Sequence, residues 1–83
     1  MSEALAHTAA HPALVSRPVL RADEPASYLM LNPQGQAAWT TDPVTATSFA
    51  SMREAMRAAM RLPSNLRAFG LLRDVEVALS KPH

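Results

Sequence analysis

Residues 39–63, WTTDPVTATSFASMREAMRAAMRLP, decide the fold. Ser51-Met52-Arg53-Glu54 reads as a capping box. The Ser51 hydroxyl accepts from the Glu54 amide, and the Glu54 carboxylate reaches back to the Ser51 amide. Both bonds satisfy backbone donors that have no partner inside a helix. MREAMRAAMRL follows, built almost wholly of strong helix formers. Pro63 cannot continue a helix and biases Leu62 away from helical geometry. The predicted helix therefore covers residues 52–61. Met52, Ala55, Met56, Ala59 and Met60 follow the i, i+3, i+4, i+7, i+8 spacing of a core face. Arg53, Arg57 and Arg61 recur every four residues on a neighbouring face. Like charges at that spacing cost an isolated helix about 0.2–0.5 kcal/mol per pair, so the row is unfavourable for folding and suggests a use in binding.

Upstream, residues 28–31 (YLML) read as a strand. Asn32-Pro33-Gln34-Gly35 is a turn, with asparagine suited to the first position, proline presetting the second and glycine free to take a positive φ. A hairpin with a glycine bulge then delivers residues 36–41 (QAAWTT) as the partner strand, with Trp39 over the methionine face of the helix. Asp42-Pro43 resembles a helix start, with an N-cap aspartate and proline at the first position, for one turn over residues 44–47. Downstream the chain turns at Ser64-Asn65. In residues 66–79 (LRAFGLLRDVEVAL), Phe69, Leu71, Val75, Val77 and Leu79 share the parity of a strand with one buried face. Helical spacing also fits, through Leu66, Phe69, Leu72, Val75 and Leu79; the β-branched Val75 and Val77 favour strand. Gly70 suggests a bulge or a close backbone approach. Residues 1–27, with Pro12, Pro18 and Pro25 and few large apolar side chains, read as a flexible tail. Within it, residues 4–10 suit a transient helix, and residues 15–21 (VSRPVLR) are compatible with an edge strand. Residues 80–83 read as a short polar tail. The expected architecture is a single α+β domain over residues 28–79, a three-stranded antiparallel sheet on one main helix in ββαβ order. One helix covers only one face of such a sheet. The other face, or a free edge, invites a second copy, and a homodimer is expected.

The composition narrows the function. Eight Lys+Arg against seven Asp+Glu leave a net charge of +1, far from the positive field of a protein that relies on nucleic-acid phosphates. The chain has no cysteine, which removes disulfides, Cys-zinc sites and thiol chemistry. It shows no apolar run long enough to span a bilayer and no signal-peptide pattern, so the cytoplasm is the expected location. All three histidines (His7, His11, His83) fall in the expected tails, so the domain lacks the usual general base. His7 and His11 have a helical metal-ligand spacing without a third ligand. Only two glycines are present, Gly35 and Gly70, and neither opens a phosphate-cradling or dinucleotide loop. Asp42 and Glu54 have capping roles. Asp74 and Glu76 would share one face of a regular strand, which reads as a solvated edge rather than a metal site. No cofactor is expected, and the chain reads as a non-enzyme. Arg53, Arg57, Arg61, Arg67 and Arg73 are the candidate partner-binding residues. An acidic protein surface is the leading partner, because arginine is enriched at interface hot spots. A nucleic-acid backbone tracked by the same arginines is the alternative, although no aromatic stacking platform is visible.

Residues 39–55 also carry a recurring pattern: Trp39-Thr40, then Asp42, then Ala46, Phe49, Ser51 and Glu54-Ala55. This W-T-x-D, A-x-x-F-x-S-x-x-E-A spacing resembles one found in short bacterial and prophage accessory proteins. The resemblance implies a ββαβ-like fold. Some small phage proteins of this size are anti-CRISPR inhibitors that bind a host complex without catalysis, so it also implies an inhibitor as one form of the interaction module.

Overall fold

The computed structural model describes residues 11–80. In chain order it contains β1 (Ala13–Arg17), β2 (Ser27–Leu31), β3 (Ala37–Thr40), α1 (Met52–Met60), a 3-10 turn (Ser64–Leu66), β4 (Phe69–Leu72) and α2 (Arg73–Ser80). The fold is α+β, with an antiparallel four-stranded sheet ordered β3-β2-β1-β4. It therefore has one strand and one helix more than the expected three-stranded sheet and single helix. The segment foreseen as helix at residues 4–10, together with His7 and His83, lies outside the described residues; His11 is exposed.

The added strand is β1, in the stretch expected to be a flexible tail. It is an interior strand, and Ala13, Leu14, Val15 and Ser16 are each no more than 2% exposed. A strand covered on both faces shows no apolar–polar alternation, so ALVS carries no period for a pattern to reveal. Pro12 and Pro18 flank the strand and lie outside its ladder, where a missing N–H costs nothing. Along one edge β1 pairs with β4, from Ala13↔Leu72 to Ser16↔Phe69. Along the other edge its C-terminal half pairs with β2, at Ser16↔Tyr28 and Arg17↔Ser27. β1 and β2 then diverge, and residues 47–49 fill the opening. The Phe49 N–H donates to the Ala13 carbonyl at 2.8 Å, and the Ala13 N–H returns a bond to Phe49 at 2.9 Å. On the β2 side, the Thr47 N–H donates to the Leu29 carbonyl at 3.0 Å. The Leu31 N–H donates to Thr47 Oγ1 at 2.7 Å. This stitching satisfies the backbone of a strand that water cannot reach.

The hairpin forms as its turn chemistry predicts. Gly35 takes φ +81. Asn32 Oδ1 accepts from the Gln34 and Gln36 amides at 2.9 and 2.8 Å. Asp42-Pro43 instead makes a turn without helix. Asp42 Oδ1 accepts from the Val44 N–H at 2.9 Å, which closes an Asx turn.

The two faces of β1 meet different layers. Ala13 and Val15 join Leu29, Ala55 and Ala59 beneath α1, with Trp39, Phe49, Met52 and Leu62 packed around them. Ser51 caps α1, accepting from the Glu54 N–H at 3.3 Å, but no bond returns from the Ser51 N–H to the Glu54 carboxylate, so only half of the expected capping box forms. Gly70 allows the close approach of α1 to β4: a Cβ there would lie 2.6 Å from the Met52 sulfur and 3.6 Å from the Ala55 Cβ. Leu14 faces the other way, toward Tyr28, Ala46 and Leu71.

The C-terminal segment is a strand over Phe69–Leu72 and then a helix, so the strand expected through Val75 and Val77 is corrected, and Val75 and Leu79 of the helical alternative are exposed. Strand pairing ends at Leu72, opposite Ala13 where β1 begins, and the Arg73 N–H donates to the Pro12 carbonyl at 3.0 Å. On α2 the side chains of Asp74 and Glu76 diverge, since two residues span about 200° of a helix. Glu76 accepts from the Tyr28 hydroxyl at 2.7 Å, which ties α2 to the second face. Burial, then the hydrogen bond and charge of Glu76, push the Tyr28 phenol from 10.0 up to about 12.

The folded chain therefore holds the Tyr28 proton more tightly than the unfolded chain does. The resulting stabilisation is complete below the ordinary phenol value of 10.0 and is lost as pH rises through about 12. Tyr28 is the only tyrosine, so ultraviolet titration reads it alone. Its midpoint should sit near 12 and fall in Glu76→Gln; a wild-type midpoint at 10.0 would show that the contact is absent in solution. The second expectation concerns β1. A fragment of residues 28–79 should lack a cooperative thermal transition by circular dichroism, whereas a sigmoidal melt with native helix content would show that the sheet closes without β1.

Candidate functional site

The outer face of α1 forms the candidate site. Ala55 and Ala59 supply the buried stripe, with Met52, Ala58 and Leu62 half-buried beside them. The expected methionine core face is thus corrected: Met56 is 46% and Met60 81% exposed. Small alanines let α1 sit close on Gly70 and Val15, and the Met52 and Met56 sulfurs lie over Gly70, 2.6 and 3.5 Å from where a Cβ would stand. Met56 reaches from the flank of the helix to Gly70 and stays partly exposed, Met60 turns outward, and both lie beside Arg53, Arg57 and Arg61, all exposed. The result is a mixed stripe, Arg-Met-Arg-Met-Arg, with flexible apolar side chains between guanidinium groups. Met56 and Met60 also line a shallow groove of about 310 Å³ with Leu62, Pro63, Arg67 and Ala68.

Arg61 ends α1, where its N–H bonds back to the Ala58 and Ala59 carbonyls. Pro63 then turns the chain into the 3-10 turn. Its last N–H belongs to Arg67, which donates to the Ser64 carbonyl at 3.1 Å. Arg67 adopts φ 54 and ψ 37, the left-handed region. Among the described residues it is the only non-glycine residue with positive φ. That conformation costs an L-residue about 1–2 kcal/mol.

The structure brings Arg53, Arg57, Arg61 and Arg67 to the α1 side of the sheet. Arg73 does not join them. β4 carries the chain to the opposite end of β1 before Arg73 begins α2, where it is half-buried. A residue that the sequence reading passed over takes its place. Arg17, at the end of β1, lays its guanidinium over the Trp39 ring, 4.5 Å from the centroid. The alternation of β1 puts Arg17 on the same face as Val15, but this could be read only once ALVSR was known to be a strand.

Among the described residues the one ion pair is Arg21–Asp23, at 3.6 Å and exposed, so none of these arginines is neutralised by a carboxylate there. No three His, Cys, Asp or Glu side chains come together among the described residues. No described helix is long and apolar enough to cross a membrane.

Replacing Arg67 by glycine removes the left-handed penalty at the cost of extra freedom in the unfolded chain. The expected net gain is about 0.5–1 kcal/mol, a rise in Tm of roughly 2–8 °C for a domain of this size. A lower Tm on calorimetry would mean that the Arg67 side chain holds the turn through contacts that outweigh its backbone strain.

Compared with known proteins, the chain matches no family model, no curated protein and no solved structure, so the reading of its function rests on this surface.

Proposed function

We propose that this protein is a non-catalytic protein-interaction module that engages an acidic partner surface through the outer face of α1. The observation that carries this reading is the interleaving of exposed Met56 and Met60 with Arg53, Arg57 and Arg61, without carboxylate partners among the described residues. Methionine adapts its shape to apolar contacts. Guanidinium forks supply directional bonds to carboxylates. Together they suit a partner that offers apolar anchors ringed by aspartate and glutamate. A small inhibitor of the phage type, binding a host protein complex, is the narrower form of this proposal.

The same arginines would suit a nucleic-acid backbone, but the aromatic side chains give that reading little help. Tyr28 is buried, and Trp39 is half-buried with one face taken by Arg17. Self-association is proposed only at the outer edge of β3, where exposed Ala37 and Ala38 carry no charge to block strand pairing. The wider argument for a dimer, a bare second sheet face, loses force because α2 and Ala46 cover part of that face.

A pull-down from nuclease-treated host lysate should capture a partner with the wild type and lose it with the Arg53/Arg57/Arg61→Glu variant, at unchanged circular dichroism. Met56→Ser/Met60→Ser should weaken capture by a smaller factor. Capture retained by the arginine variant would refute the α1 reading. Nucleic acid recovered from untreated lysate, with no protein in either sample, would favour a phosphate-tracking regulator.

A further inference from the structure

At the end of the sheet where β1 stops and β4 starts, two connections face each other. One is the loop over residues 18–26, and the other is the turn carrying Asn65, Leu66 and Arg67. Between them lies a cleft of about 420 Å³, within the size range of small-ligand sites. Arg17 and Arg67, fifty positions apart in the sequence, both line it, together with Ser27 and Asn65. Its remaining walls include Pro18, Leu20 and Pro25, which are apolar.

The Arg17 side chain and the Arg67 backbone are held in place before any ligand arrives. Arg17 is stacked on Trp39, which restricts a side chain that otherwise loses much rotamer freedom on binding. The Arg67 backbone is fixed by its left-handed conformation and by the N–H bond to Ser64, which sets where its side chain leaves the turn. Backbone strain of this kind persists where surrounding structure over-determines it, and such places are often sites of recognition. Neither guanidinium makes an ion pair among the described residues. The one carboxylate lining the cleft, Glu24, is occupied locally: its Oε1 accepts from the Leu20 N–H at 3.2 Å.

We propose that the Arg17–Arg67 cleft is a carboxylate-binding site, taking a carboxylate on an apolar stem such as the free terminus or acidic side chain of a peptide. Two planar guanidinium forks match a carboxylate's two oxygens. The proline and leucine walls match the stem. A bare phosphate has no apolar stem for the Pro18, Leu20 and Pro25 walls to pack on, and these walls favour the carboxylate. Arg53, Arg57 and Arg61 do not line the cleft, so this site stands or falls separately from the outer face of α1.

Trp39 is the only tryptophan and stacks on Arg17, so its emission reports a ligand that draws on that guanidinium. The full chain would be titrated with N-acetyl-leucine, with the uncharged N-acetyl-leucinamide and with inorganic phosphate. The expected result is a saturable change in emission with N-acetyl-leucine, at a Kd on the order of 1 mM, and none with the amide. The Arg53/Arg57/Arg61→Glu variant should respond like the wild type. Arg67→Gly, which keeps the turn, and Arg17→Lys, which keeps the charge without the planar stack, should each bind about tenfold more weakly. A capped peptide ending in Leu-Glu binding more tightly than N-acetyl-leucine would place the source in a peptide, and the reverse order would place it in a small free acid. Equal or tighter binding of phosphate would overturn the carboxylate assignment. An unchanged response in Arg67→Gly, or no saturation by ~20 mM N-acetyl-leucine, would overturn the site.

Discussion

Burying β1 is the constraint on which the rest of this molecule depends. A strand covered on both faces and bonded on both edges must find a partner for every backbone donor and acceptor, because no water reaches them. β4 satisfies one edge along the strand's length. The other edge is shared between β2 and the Phe49 segment. Residues 42–50 are therefore more than a connection between β3 and α1. They form a wedge whose position sets where Ser51 begins the helix. The polar member of the strand obeys the same rule: Ser16 is buried, and its hydroxyl donates to the Ser27 carbonyl at 3.0 Å.

The placement of α1 follows from the small residues beneath it. Ala55, Ala59 and Gly70 allow helix and sheet to approach closely, with the Met52 and Met56 sulfurs seated over Gly70. So narrow a contact leaves Met60 and part of Met56 exposed beside the arginines. It also costs the domain apolar burial, which a small domain can ill spare. Part of that loss is offset on the second face, where Leu14, Tyr28, Ala46 and Leu71 form a separate cluster that α2 borders through Glu76.

Three of the arginines on these two surfaces sit at element ends. Arg17 is the last residue of β1, Arg61 closes α1, and Arg67 closes the turn before β4. Chain ends of this kind point side chains beyond the packed layers, where long cations stay hydrated while their stems cover apolar surface. The Arg17–Trp39 stack joins the end of β1 to the hairpin, so the tryptophan serves core packing on one side and cation recognition on the other.

Local chemistry was legible in the sequence by itself. The Ser51 cap, the Pro63 stop, the Asn32–Gly35 turn and the helix between residues 52 and 61 rest on interactions within four residues, and the fold keeps them all. The arginine row was legible for the same reason, since i, i+4 spacing survives wherever a helix is placed. The central position of β1, the change from strand to helix at Arg73, the exposure of Met60, and the placing of Arg17 and Arg67 on one cleft were decided only by tertiary structure. Each depends on partners tens of residues away. ALVSR becomes an interior strand because β4 and Phe49 bond its edges. The last segment switches period where its strand partner ends. Gly70 leaves room for the Met52 and Met56 sulfurs, while Met60, one turn further along the helix, stays exposed. No local period encodes contacts of that range, because the residues that satisfy a buried backbone or set an interlayer distance lie elsewhere in the chain.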